Sequence, residues 1–382
     1  MKKSLFTRVM LPVAVLLSLV LLMACSTPTP TATPSPTASP KPTTSTPTTS
    51  PTATPKPTTT TPVEKKTWRF YTTVEGSFAY SVGVGLTRVA NKYNNNVEIV
   101  VTTGTGSTTS NYLYEKGEID TVYSSNLALY QMYSNQGIFA TTPVKYRAYQ
   151  GVYLYSADQL PLIKAGRTDI KSFGDLAGKK LFPYFSSSGT HDTYELVLRS
   201  LGIWDKITDR QIGDTEAPSA LTNGQIDAIG AYTIGQATLP AWVKNIDVQA
   251  KIQVLQPSDA EKAIIQKIPT IVILQVPATV FTQPVGVQSV YAFSNIYGWG
   301  FGPAEDTDRV YGITKAWFEH PDELLAINPG FVQFKNIGLQ METDTINSMS
   351  NVPVHPGVAK YLKEKGVWKD TWKIGDLYAR TK

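Results

Sequence analysis

Three loops concentrate the side chains that could hold a ligand. Thr103-Gly104-Thr105-Gly106-Ser107-Thr108 and Ser186-Ser187-Ser188-Gly189-Thr190 each precede a helical pattern, and Thr73-Val74-Glu75-Gly76-Ser77 opens the first helix. Glycine permits close backbone approach, hydroxyls cap helix starts, and the N–H groups freed there favour an anionic or polar head group. The same composition is ordinary punctuation between a strand and a helix, so residue types alone leave both readings open.

Covalent chemistry has fewer candidates. Of the three histidines, His320 and His355 each precede a proline, which suits a loop or a helix cap. His191 starts a helix directly after Ser188-Gly189-Thr190 and is a candidate for ligand contact. No metal-ligand spacing, nucleophile elbow or GxxxxGK loop can be read, and Thr103 to Gly106 lacks the third glycine and later acidic residue of a dinucleotide fingerprint. Neither metal nor cofactor is expected. Glu75 with His191 is the one pair that could move a proton in a cleft, so an enzyme ranks behind a binding protein. Phe78, Tyr80, Tyr194 and Tyr232 flank the polar loops and suit either a pocket wall or the core.

The elements that must position these loops alternate. Trp68 to Thr72 reads as a strand, and Ala79, Val82, Leu86, Val89, Ala90 and Tyr93 recur at helical spacing on one face. Val97 to Val101 is a second strand, the Ser107 loop opens a second helix, and Ile119 to Tyr123 is a third strand. Strands alternating with helices predict βαβ units on a mainly parallel sheet, with ligands at the carboxyl ends of the strands, where Thr73, Thr103 and Ser124 converge.

Tyr146 to Tyr155 is a strand-like run leading out of this unit, after which the scheme restarts with a capped turn at Ile170 to Leu176, a strand at Gly178 to Phe182 and a helix through Leu201. Leu113 to Asp120 and Leu221 to Asp227 share one device, a helix stopped by glycine that enters a strand through Ile-Asp. Two facing lobes account for the repeat; a chance recurrence of a common glycine cap accounts for it as well. Beyond Pro284, a strand at Val287 to Asn295 and helices at Glu305 to Phe318 and Pro356 to Lys365 read as a return to the first lobe.

The chain of 382 residues, 42% hydrophobic and 10% aromatic, can bury a sizeable core. Its formal charge of +5 falls to +5 − 3 = +2 once Lys2, Lys3 and Arg8 are set aside as part of a leader. No basic cluster interleaved with aromatics points to nucleic acid. Residues 1–24 read as a secretory signal, with an apolar run from Val9 to Met23. It ends in Leu22-Met23-Ala24-Cys25, similar to the bacterial lipobox, and Cys25 is the only cysteine, so lipidation there would anchor the chain to a membrane. Residues 25–62 are almost wholly Ser, Thr, Pro, Ala and Lys, a tether with nothing to bury.

The ordered segments 72–83, 102–120, 146–155, 169–181, 186–193, 221–242 and 352–368 together resemble the TAXI family, extracytoplasmic solute-binding proteins associated with TRAP transporters. The resemblance implies a two-lobed, type II periplasmic-binding-protein-like α/β fold that closes on a small ligand and delivers it to a TRAP-type membrane permease. Each lobe would be a mainly parallel sheet flanked by helices, with a two-crossing hinge. Residues 66–154 and 287–382 would form lobe 1, and 155–286 lobe 2.

Family ligands are organic acids or acidic amino acids. On that pattern the contacts fall on Thr73, Gly76, Ser77, Tyr80, Gly106, Ser107 and Ser125 in the first lobe, and on Ser188, Gly189, Thr190 and Tyr232 in the second. Glu75 stands where the family has glycine, and His191 where an acidic or small residue is common. A carboxylate at Glu75 would disfavour a dianion and favour an amino acid or monocarboxylate. The alternative keeps the fold but makes the protein a surface lipoprotein that senses ligand or adheres, without a transporter.

Overall fold

A computed structural model describes residues 65–104, 106–186 and 188–380. The leader, Cys25 and the tether lie outside the described residues. The chain opens with β1 (Lys66–Thr72), α1 (Phe78–Tyr93), β2 (Val97–Thr103), α2 (Ser107–Lys116), β3 (Val122–Ser125) and α3 (Asn126–Ser134). Next come β4 (Tyr149–Lys164), β5 (Lys180–Phe182), α4 (Gly189–Ser200), β6 (Thr208–Asp209), α5 (Ala217–Thr222) and β7 (Ala228–Ile234). There follow α6 (Ala241–Gln249), β8 (Ile252–Val254), α7 (Asp259–Ile265), β9 (Val272–Pro277) and β10 (Ser289–Phe301). Four helices close the chain: α8 (Thr307–Glu319), α9 (Pro321–Ile327), α10 (Val332–Ser348) and α11 (Pro356–Glu364).

The architecture is α/β with two lobes, and β4 and β10 run through both. Strand β10 pairs antiparallel with β4 from Phe293 to Phe301, with β3 from Tyr297 to Gly300 and with β9 from Ser289 to Ser294. Strand β4 pairs with β10 near its start and with β7 and β8 beyond Ala157. The outer strands are parallel, as βαβ units require: β1 with β2, and β5 with both β6 and β7. Strands β1 and β2 form a separate two-stranded parallel sheet, and the other eight strands form one mixed sheet, because β4 and β10 run against their neighbours.

Both crossing strands extend well past the segments legible in the sequence, β4 from Tyr155 to Lys164 and β10 from Asn295 to Phe301. Their register shifts at Tyr297/Gly298, where a side chain at Gly298 would meet the Val152 carbonyl at 2.2 Å. Only glycine lets the two backbones approach there.

The cores follow the same division. One draws mainly on residues 68–157 and 296–372, and two others, on opposite faces of the mixed sheet where β4, β5 and β7 pair, on 160–293. Trp299 and Trp317 tie the chain's return to its beginning: their indole N–H groups donate to the Tyr71 and Leu86 carbonyls at 2.6 and 2.9 Å. Trp299 also stacks on Phe70, with centroids 5.2 Å apart.

The Gly-x-Ile-Asp repeat has the same geometry in both lobes. Gly117 and Gly224 take left-handed φ angles of 75° and 72°, and Ile119 and Ile226 are buried. Asp120 then accepts the Arg69 amide at 2.8 Å and Asp227 the Lys180 amide at 2.9 Å, each on the neighbouring strand. A guanidinium completes each: Arg69 Nε lies 2.9 Å from Asp120, and Arg167 Nη1 lies 3.0 Å from Asp227. The repeated aspartates register strands.

Helix α10 holds the crossing region from one side. Glu342, fully buried, accepts the Tyr153 amide at 2.8 Å, and Gln333 accepts the Ser156 amide at 2.8 Å. Buried Asp158 joins three strands by accepting Thr233 Oγ1 (2.8 Å), the Gln236 amide (2.8 Å) and Ser294 Oγ (3.0 Å).

Candidate functional site

Three helix starts converge on the space between the lobes. Ser77 caps α1 by accepting the Tyr80 amide at 3.1 Å, and Thr73 Oγ1 lies 2.6 Å from Ser77 Oγ. Ser188 caps α4 by accepting the His191 amide at 3.2 Å. Helix α2 starts at Gly106 with no side-chain cap and no acidic residue in its first turn, and the Tyr71 hydroxyl donates to the Gly106 carbonyl at 3.0 Å. The start of α2 faces the cleft through Gly106 and Ser107.

The cleft has two chambers that share Ser107 and Gly189. The inner one, about 370 Å³, has Thr73, Ser77, Gly106 and Ser107 on one side and Ser188, Gly189, Thr190 and Tyr232 on the other. Among the described residues no charged side chain lines it. Its back wall is aromatic: Tyr297 stacks on Tyr123 and on Tyr155, with centroids 5.6 Å away in each case, and Phe78 meets Tyr155 edge-on at 4.9 Å. The Tyr123 and Tyr155 hydroxyls lie 2.5 Å apart. Burial pushes Tyr123, Tyr155 and Tyr297 well above the usual phenol range, so all three stay protonated.

Gly189 rests against this wall, since a side chain there would stand 2.6 Å from the Tyr297 hydroxyl. The outer chamber, about 560 Å³, lies between α2 and α3 on one side and α4 on the other.

Nine of the residues singled out in the sequence meet in the inner chamber: Thr73, Ser77, Phe78, Gly106, Ser107, Ser188, Gly189, Thr190 and Tyr232. Ser125 lines the outer chamber and caps α3, accepting the Ala128 amide at 3.1 Å. Glu75 and Gly76 are exposed in the turn before α1, and neither they nor Tyr80 line either chamber.

His191 lines neither chamber. It is buried, its Nε2 lies 2.9 Å from Asp209 Oδ2, and its ring meets Trp204 edge-on at 5.4 Å. Asp209 in turn accepts Gln211 Nε2 at 2.8 Å, and Gln211 accepts the Ser186 amide at 3.0 Å. His191 thus braces the loop that carries Ser188 and Gly189. Glu75 and His191 do not form a pair in the cleft.

Tyr194 is core, its hydroxyl donating to the Ala231 carbonyl at 2.8 Å. His355 caps α11 through Nδ1, which accepts the Gly357 amide at 3.1 Å, and burial lowers its pKa to about 4. His320 is the N-cap residue of α9 and stacks on Tyr93.

Sequence reasoning missed Tyr123, Tyr155, Tyr184, Phe185 and Tyr297 in the inner wall, and Asp192 in the outer chamber. Asp192 directly follows His191 in the segment singled out, but spacing does not say which of two adjacent side chains faces a cleft.

The structure is similar to the periplasmic aliphatic sulphonate binding protein SsuA from Escherichia coli, at 14% identity over 78% of each chain with a TM-score of 0.42. It is similar to a probable amino-acid ABC transporter extracellular-binding protein, ytmK, from Bacillus subtilis, at 15% identity over 71% of this chain and 99% of that one, TM-score 0.42. A TctC solute binding protein from Polaromonas matches at 10% identity over 75% of this chain and 96% of that one, TM-score 0.47. The model of the NMT1-like family matches residues 70–366, most of the chain, and the protein belongs to that family.

Proposed function

We propose that this protein is an extracytoplasmic solute-binding lipoprotein, anchored through Cys25, that captures a small carboxylate-bearing solute and passes it to a TRAP-type permease. The observation that carries this reading is the convergence of the starts of α1, α2 and α4 on an inner chamber free of charged side chains. Helix N-termini and hydroxyls hold an anionic head without a buried cation. We assign the contacts to Thr73, Ser77, Gly106 and Ser107 from one lobe and Ser188, Gly189, Thr190 and Tyr232 from the other. Organic acids and amino acids are the matching solutes, and delivery needs no covalent step. Ligand that touches both lobes favours the closed state by the difference between its open-state and closed-state affinities.

Native mass spectrometry of the purified protein, followed by thermal melts against a panel of organic acids and amino acids, tests this. A ligand at a hundred times its Kd adds roughly 2.7 kcal/mol of stability. For roughly 300 ordered residues that is a rise of about 4 °C in Tm. If no carboxylate co-purifies or raises Tm, the reading is wrong.

A further inference from the structure

One charged side chain in the cleft has no partner. Asp192, in the first turn of α4, lines the outer chamber and makes no hydrogen bond or ion pair through its carboxylate among the described residues. The other charged groups of that chamber are engaged: Arg199 holds Glu195 and Asp205, each at 2.7 Å. The opposite wall, from α2 and α3, supplies Ser107, Thr108, Thr109, Tyr112, Ser125 and Gln131, none of them charged. The outer chamber therefore carries one uncompensated negative charge. Asp192 lies three residues beyond Gly189 on α4, on the same helix face, and Gly189 lines both chambers, so Asp192 stands beside their junction.

Among the described residues the inner chamber presents seven aromatic side chains and no cation: Phe78, Phe185 and tyrosines at 123, 155, 184, 232 and 297. Aromatic faces favour an apolar body and tolerate a neighbouring ammonium. Helix starts for an anion, aromatic walls for a body and a free carboxylate one turn away together describe a zwitterion.

From this we infer that the ligand is an amino acid with a large apolar or aromatic side chain, its ammonium paired with Asp192, which acts as the specificity-determining residue. The inference rests on the solute-binding reading above and narrows it. A dicarboxylate would bring a second negative charge toward Asp192 and be rejected. Asp192 is an exposed residue, yet the protein packed around its carboxyl raises the pKa to about 6; His191 opposes the rise and Glu195 adds to it. A bound ammonium supplies the missing counter-charge. Protonation of Asp192 removes it again, so affinity for an amino acid falls by about tenfold between pH 7 and pH 5 as the ionised fraction drops from about 0.9 to about 0.1.

L-phenylalanine and 3-phenylpropanoate share a skeleton and differ by the ammonium, and calorimetric titration of both against the wild type and Asp192→Asn tests the assignment. The wild type should bind phenylalanine at least tenfold more tightly than 3-phenylpropanoate at pH 7. Asp192→Asn should bring the two within about twofold and flatten the pH dependence for phenylalanine. Equal binding of the pair by the wild type, or a preference unchanged in Asp192→Asn, overturns the inference. If neither binds while another carboxylate raises Tm, the inference falls and the solute-binding reading stands; if no carboxylate binds, both fall.

Discussion

Replacing Glu342 with glutamine isolates one buried carboxyl at the point where the lobes join. Glu342 is fully buried, no cation pairs with it, and its Oε1 has no partner, while Oε2 accepts the Tyr153 amide of β4. Burial raises its pKa from the ordinary 4.5 to about 8, opposed only by the bond from Tyr153. Below pH 4.5 both folded and unfolded chains hold the proton, and the group contributes no pH dependence. Between 4.5 and 8 the unfolded chain releases its proton while the folded chain keeps it, so stability falls as pH rises, by about 1.4 kcal/mol per unit at most.

Integrated from pH 5 to pH 7.5, the loss is about 3 kcal/mol. Glutamine keeps an acceptor for the Tyr153 amide and never ionises. Urea denaturation of the wild type and Glu342→Gln at both pH values, followed by tryptophan fluorescence, cancels every other titrating group in the difference. The variant should gain about 3 kcal/mol on the wild type over that interval. A difference that does not change with pH would refute the buried, protonated state of Glu342.

The remaining expectations are narrower. Gly189→Ala places a methyl 2.6 Å from the Tyr297 hydroxyl, in a ring already stacked on two others, and should abolish the ligand-induced rise in Tm while leaving the far-UV spectrum unchanged. Asp120→Ala and Asp227→Ala each remove a charged acceptor from a strand amide and a guanidinium. Each should cost about 1.5 to 3 kcal/mol in urea denaturation without changing ligand Kd. A shift in Kd beyond threefold would show that these aspartates do more than register strands.

What the sequence made legible was local. The Gly-x-Ile-Asp device could be read twice because it needs a left-handed glycine and one buried isoleucine, both set within a few residues. Ser77 and Ser188 were legible for the same reason, since a cap is defined by the two or three residues that follow it. The back wall of the cleft was not, because Tyr123, Tyr155 and Tyr297 come from three strands and meet only through the pairing of β10 with β3 and β4. Direction was equally hidden. Glu75 and His191 have the chemistry a ligand site needs, yet one stands in an exposed turn and the other braces Asp209, while Asp192 takes the position facing the cleft.

Because β4 and β10 belong to both lobes, the order of synthesis and the order of completion differ. The strands and helices of residues 66–154 leave the ribosome first, but Trp299 and Trp317, which cover Phe70 and bond to Tyr71 and Leu86, lie 228 and 231 residues beyond the carbonyls they bind. A nascent chain of fewer than about 300 residues therefore shows its first core to solvent, and contacts of such long sequence separation make the last stage of folding slow. The lobe that begins the protein is the one that finishes last.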